Sequence, residues 1–152
     1  MPNFLLEIMD PLSAAGSIVG LIGVTATTTR ILKTFINTVK NAPDLAKNVL
    51  AEVTEISACL TQLQAFLLGT KVMSRSRASL LMVEQIIVAL TNCVMIFSEL
   101  DKILDMLRPD QSSLSARSKM KFAIRAPEIS SILARLRTSK ASLNLMLMTL
   151  DW

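Results

Sequence analysis

The sequence predicts an all-α fold: an antiparallel four-helix bundle with a Gly/Ala-rich first helix. Three observations lead there. Apolar residues recur in steps of three and four through four long segments, the period of a helix with one buried face. Mostly short connections join those segments, which suits helices packed against their sequence neighbours. Four Gly, five Pro and few strand-like alternations leave little room for a β-rich fold. At 152 residues the chain makes one domain. Its 51% apolar and 18% charged content excludes intrinsic disorder, which needs the reverse balance.

The elements follow in order. Residues 1–8 read as an N-terminal extension, and 9–152 as a single helical-bundle domain. Asp10-Pro11 supplies an N-cap and a proline at the first helical position. The first helix, about 11–40, then carries Leu12, Ala15, Val19, Ile22, Thr25, Thr29, Leu32, Ile36 and Val39 as its core stripe. It stops near Asn41, because Pro43 disfavours helical geometry at Ala42. The second helix, about 44–68, starts with Asp44 in the first turn, where a negative charge suits the helix dipole. Its stripe is Leu45, Val49, Val53, Ile56, Leu60, Leu63 and Leu67, and Gly69 fits the position after its end.

The third helix, about 78–107, keeps Leu80, Val83, Ile87, Leu90, Val94 and Phe97 in strict three-four spacing. Ile86, Cys93, Ile96, Leu100, Ile103, Leu104 and Leu107 widen that face, as a globular bundle helix requires. Pro109 ends it. Asp110 to Ser118 reads as a loop, and Met120 to Ile124 as a short stretch compatible with an extended strand. Pro127 and Glu128 open the last helix, about 127–150, striped by Ile129, Leu133, Leu136, Leu143, Leu147 and Leu150. Lys140 falls on that stripe, so it must snorkel or pair with a carboxylate. The first helix is the odd member, since its stripe is small and hydroxylated where the others are rich in Leu and Ile. It is therefore the cheapest to detach.

Composition also removes whole classes of chemistry. With no His there is no His-based acid–base catalysis, no Ser-His or Cys-His pair, and little basis for zinc. Ser139 and Lys140 are adjacent on a helix and point about 100° apart, so they form no dyad. The chain reads as a non-enzyme with no cofactor and no metal. Asp101 and Asp105, with Glu99 nearby, read as a solvated helix face. Two Cys, Cys59 and Cys93, sit on apolar stretches as inert buried thiols, and suit a reducing compartment. Nine Met act mainly as core filler. A net charge of +4, with no recognition motif or aromatic interleaving, gives no case for nucleic acid.

The amino terminus shows no signal peptide, for the first Lys or Arg is Arg30. From Pro11 to Thr29 there are 19 consecutive uncharged residues. Such a helix is about 28 Å long, close to the ~30 Å hydrocarbon core. Its six strongly apolar residues gain only ~3 kcal/mol on insertion, which glycines and hydroxyls erode. It should not insert alone and permanently, but it can insert as part of an assembly.

Met9-Asp10-Pro11-Leu12-Ser13, followed by the uncharged Gly/Ala/Ile/Val-rich helix, resembles the start of HeLo-like domains. Ala42-Pro43 with Glu52-Val53 and the run from Leu60 to Leu68 is similar to that family's second helix. Ile132-Leu133-Ala134-Arg135-Leu136 through Lys140-Ala141-Ser142-Leu143-Asn144-Leu145 resembles its closing helix. The likeness spans residues 9–150. Residues 1–8 extend beyond the family's usual start, and Phe122 stands where a Trp is expected. These domains head fungal NOD-like receptors and related cell-death proteins. The resemblance implies a membrane-targeting, cell-death-inducing effector domain of a fungal innate-immunity or heterokaryon-incompatibility system. It would be cytoplasmic at rest and at the plasma membrane on activation. It implies self-association, membrane lipids as partners, and an upstream NOD-like receptor or amyloid-signalling partner. The end at Trp152, just after the last helix, reads as an excised domain or a short gene.

Two features carry competing readings. Gly16 and Gly20 form a GxxxG, which permits close helix approach in lipid or a tight crossing inside a soluble bundle. With the resemblance, Leu12, Gly16, Ile18, Val19, Gly20, Leu21, Ile22 and Gly23 are the candidate inserting or oligomerising face. The second feature is the excess of cations between Arg117 and Lys140, broken only by Glu128. Within it, Arg117, Lys119, Lys121 and Arg125 are candidate contacts for anionic headgroups, each contributing roughly 1 kcal/mol near such a leaflet; the alternative is a solvated face. The alternative function is a soluble signalling or adaptor module working by homo- or hetero-oligomerisation.

Overall fold

The computed structural model describes residues 11–39, 41–67, 75–107 and 115–150, with side-chain surroundings from Ser17 onward in the first helix, from Gln85 in the third and from Arg117 in the fourth. Every element among them is helical. They are α1 (Pro11–Thr38), α2 (Asp44–Leu67), α3 (Arg75–Asp105), α4 (Ser115–Ile124) and α5 (Ala126–Leu150). The expected inner core positions are largely found: Val49, Val53, Ile56, Leu60 and Leu63 on α2, and Ile129, Leu133, Leu136, Leu143 and Leu147 on α5, are all buried.

The helix ends have local causes. Val39 N–H still donates to Phe35 O at 2.9 Å. Two residues on, Asn41 takes φ 55°, the left-handed geometry that closes a helix and that Asn tolerates better than most residues. Ala46 N–H then donates to Pro43 O at 3.1 Å, starting α2. At the other corner the chain barely unwinds. Arg125 N–H donates to Phe122 O at 3.1 Å and Ile129 N–H to Arg125 O at 3.0 Å, so α4 leads almost directly into α5. Pro127 sits in the first turn of α5, where its missing N–H costs nothing.

The four long helices enclose one core. α1 packs on α2 and α3, α5 packs on α2 and α3, and α4 touches α5. Paired positions give two directions. Glu52 meets Arg137 and Lys140, Glu55 meets Lys140, and Cys59 meets Asn144, so numbers rise together and α2 runs parallel to α5. Glu99 pairs with Arg135, and Lys102, Ile103 and Met106 line one hollow with Ser131, Glu128 and Arg125, so α3 and α5 run opposite ways.

Three expectations change. Residues 115–118 are not loop and 120–124 are not extended; both belong to α4. Ala116, Arg117, Lys119, Met120 and Lys121 are strong helix formers, and Phe122 anchors the turn in the core, stacked on Phe35 with ring centroids 5.1 Å apart. The third helix begins at Arg75 rather than about residue 78. The core stripe of α1 is also displaced. Ile18, Leu21, Thr25, Thr28, Leu32, Phe35 and Val39 are buried, Ile22 and Ile36 half-buried, and Val19 is 55% exposed. Consecutive apolar pairs at 18–19 and 21–22 fit either register, and Phe35 decided it by reaching Phe122.

Candidate functional site

The sequence placed a membrane-active face on α1, at Leu12, Gly16 and residues 18–23. At about 100° per residue, Gly20, Gly23 and Thr27 fall opposite the buried row of Ile18, Thr25 and Leu32. A Cβ added at Gly20 or Gly23 would meet no atom within 4 Å. So neither glycine serves a close approach among the described residues. Beside them a groove of about 660 Å³ opens between α1 and α3, with Gly20, Val24, Val94 and Phe97 among its walls and Asp101 as its charged residue.

Three hydroxyls of α1 bond back to their own helix. Thr25 donates to Ile22 O at 2.7 Å, Thr27 to Gly23 O at 3.2 Å and Thr34 to Arg30 O at 2.9 Å. Such back-bonding satisfies a buried threonine without a partner on another helix. Nothing polar in those three bonds ties α1 to its neighbours. The ion pairs instead tie α5 to α2 and α3: Lys140 Nζ lies 2.8 Å from Glu52 Oε2 and 2.5 Å from Glu55 Oε2, Arg137 Nε 3.5 Å from Glu52 Oε1, and Arg135 holds Glu99. Glu52 and then Glu55 raise the Lys140 pKa above its ordinary value, and the Arg135 guanidinium lowers that of Glu99.

The proposed inserting residues do not share a face. Ile18 and Leu21 are core, Ile22 is half-buried, and Val19, Gly20 and Gly23 are exposed. Six consecutive residues sweep more than one full helical turn, so 18–23 cannot point one way. Leu12 and Gly16 belong to α1, but their surroundings lie outside the described residues. Among the described residues, no helix is long and apolar enough to cross a membrane.

The candidate headgroup cations divide as well. Arg117 and Lys119 are exposed on α4. Lys121 is half-buried and donates to Met106 O at 3.5 Å. Arg125 is occupied by Glu128, at 2.9 and 3.2 Å from its two carboxylate oxygens. Two further exposed side chains, Met120 at 65% and Ile124 at 71%, share the outer side of α4. Reading Met120 to Ile124 as extended hid them; their i,i+4 spacing among cations is the signal that would have found them.

The two thiols are buried as expected. Burial pushes Cys93 up to about 11 and raises Cys59 too, so both stay protonated and unreactive near neutral pH. Cys59 Sγ donates to Asn144 Oδ1 at 3.2 Å. No family model, curated protein or solved structure matches this chain.

Proposed function

We propose that this chain is a membrane-permeabilising effector of the HeLo-like type. In this reading its long helices, each antiparallel to the next along the chain, form a four-helix bundle at rest. A receptor or amyloid-type partner brings copies together, α1 leaves the bundle, and several α1 helices act jointly on the plasma membrane. The observation that carries the reading is the outward placement of Gly20 and Gly23 with no atom near them. Two glycines in a helix interior cost about 0.5–1 kcal/mol each relative to Ala. Packing among the described residues does not account for them, whereas close approach of a second helix would. The back-bonded Thr25, Thr27 and Thr34 support it further, because hydroxyls that bond their own helix add no polar tie to be broken when it leaves. Joint action also fits a helix too weakly apolar to span alone.

The test is dye release from liposomes of phosphatidylcholine with and without anionic lipid. The full chain releases dye, and Val19→Glu with Val24→Glu abolishes release. Both valines are exposed, so helicity and melting temperature stay near wild type. Release retained in the folded double variant would sink the α1 mechanism. A concentration-independent dimer with no lipid activity would give the adaptor module instead.

A further inference from the structure

α4 is ten residues long, SARSKMKFAI, and carries three cations and no acid. Its one fully buried large side chain is Phe122, held against Phe35 of α1. Taking Phe122 as the inward direction, Lys119 falls about 60° away, Ala123 about 100°, Met120 about 160°, Ile124 about 200°, Arg117 about 220° and Lys121 about 260°. The outer face is therefore an apolar ridge, Ala123–Met120–Ile124. Lys119 borders it on one side, Arg117 and Lys121 on the other. Exposures of 65% at Met120 and 71% at Ile124 agree with that geometry.

We propose that α4 is a membrane-docking helix, whose Met120–Ile124 ridge lies in the interface of an anionic leaflet while the exposed Arg117 and Lys119 reach its headgroups. An apolar strip edged by Lys and Arg is the pattern of helices that lie in the interfacial plane, with apolar side chains at the acyl boundary. Long basic side chains at the edges reach headgroups while their stems cover the apolar ridge. The charge selects the surface: a segment with three cations and no acid is drawn to an anionic leaflet and not to a neutral one. Docking needs no unfolding, because Phe122 stays in the core. That separates α4 from α1, whose Ile18 and Leu21 reach lipid only after the helix leaves. The stacking of Phe122 on Phe35 also holds the inner side of α4 against the C-terminal half of α1.

The proposal rests on the membrane reading for the class of its partner, but not on permeabilisation. It is tested on the full chain by co-sedimentation with phosphatidylcholine vesicles, with and without phosphatidylserine. Wild type binds the anionic vesicles, less tightly as salt rises. Each exposed apolar side chain contributes about tenfold in affinity, so M120S/I124S lowers binding about a hundredfold. Each cation contributes about fivefold, so R117Q/K119Q lowers it about 25-fold. All four side chains are exposed, and unchanged helicity and melting temperature verify the fold. A second readout uses Ile124→Cys carrying an environment-sensitive fluorophore, since Cys59 and Cys93 are buried with raised pKa. Its emission shifts to the blue on anionic vesicles. M120S/I124S binding like wild type, or an unshifted fluorophore, overturns the docking helix; if wild type still releases dye, the effector reading survives. Binding to soluble polyglutamate as strong as to vesicles, and unaffected by M120S/I124S, also overturns it. Binding that needs the ridge, without dye release, keeps the docking helix and removes the effector role. Wild type that neither binds nor releases dye overturns both.

Discussion

The α2–α5 seam and the α1 helix are built from opposite materials. On α2 every described inward position from Val49 to Phe66 is a sizeable apolar side chain, apart from Glu52 and Cys59. Those two are the ones that reach across to α5, Glu52 by ion pairs and Cys59 by its bond to Asn144. On α1 the middle of the inward row is Thr25 and Thr28, and the outward row carries Gly20 and Gly23. Both helices are of similar length and bury one face in the same core. The difference shows that helices of one bundle can be joined by different means: polar ties across α2 and α5, and extensive packing of α1 on α2.

The sharpest way to break that comparison is to cut a large side chain from the seam. Leu60 is fully buried on α2. Leu60→Ala removes its contacts and leaves a cavity, so the chain loses about 2–5 kcal/mol, read as a lower urea midpoint. Thr25→Val, equally deep on α1, keeps the shape and discards a hydroxyl that bonds only its own helix; it changes stability by less than about 1 kcal/mol. Similar losses from the two substitutions would show that α1 is held as firmly as α2.

The middle-sized effect lies in the ion pairs. Glu52 is nearly buried against Lys140 and Arg137, while both cations keep some contact with water. Glu52→Ala therefore costs about 1–2 kcal/mol, between the values for exposed and for fully buried pairs. Its pH signature is more specific. The raised pKa of Lys140 means that its contribution is fully present below the unfolded value near 10.4. That contribution is lost as pH rises through the folded value, which lies higher. Glu52 is the largest cause of the rise, so Glu52→Ala moves the alkaline fall in melting temperature to lower pH. An alkaline limb identical to wild type would mean that Lys140 is held by Glu55 alone.

These particulars show what could be read from the chain. The helices of α2 and α5 were legible residue by residue, because Leu and Ile at steps of three and four admit one register. Lys140 on an otherwise apolar stripe was legible as a residue needing a carboxylate, though not which one. The register of α1 was not, since doublets such as Ile18-Val19 and Leu21-Ile22 satisfy two faces, and only the distant Phe122 separates them. α4 was hidden by its polar residues: Ser115 to Ser118 read as loop until a tertiary contact, Phe122 on Phe35, fixes the turn. The parallel course of α2 and α5 is likewise long-range and leaves no local trace in the sequence.

The smallest effect is the most discriminating for α1. Gly20→Ala puts a methyl where nothing stands within 4 Å, at an ordinary helical position. Helix propensity and lost unfolded-state freedom then stabilise the resting chain by about 0.4–1 kcal/mol. Gly23→Ala acts alike, and since neither added methyl meets another group, each contributes its own gain. A glycine retained at a cost to the fold must serve a state other than the resting one. If that state brings α1 helices together, the same methyl that raises the melting temperature keeps two backbones apart. The double variant is then more stable and releases less dye. A double variant that is more stable and equally active would break the link between those glycines and the membrane. In that case the two glycines would be merely weak points of α1 with no functional counterpart.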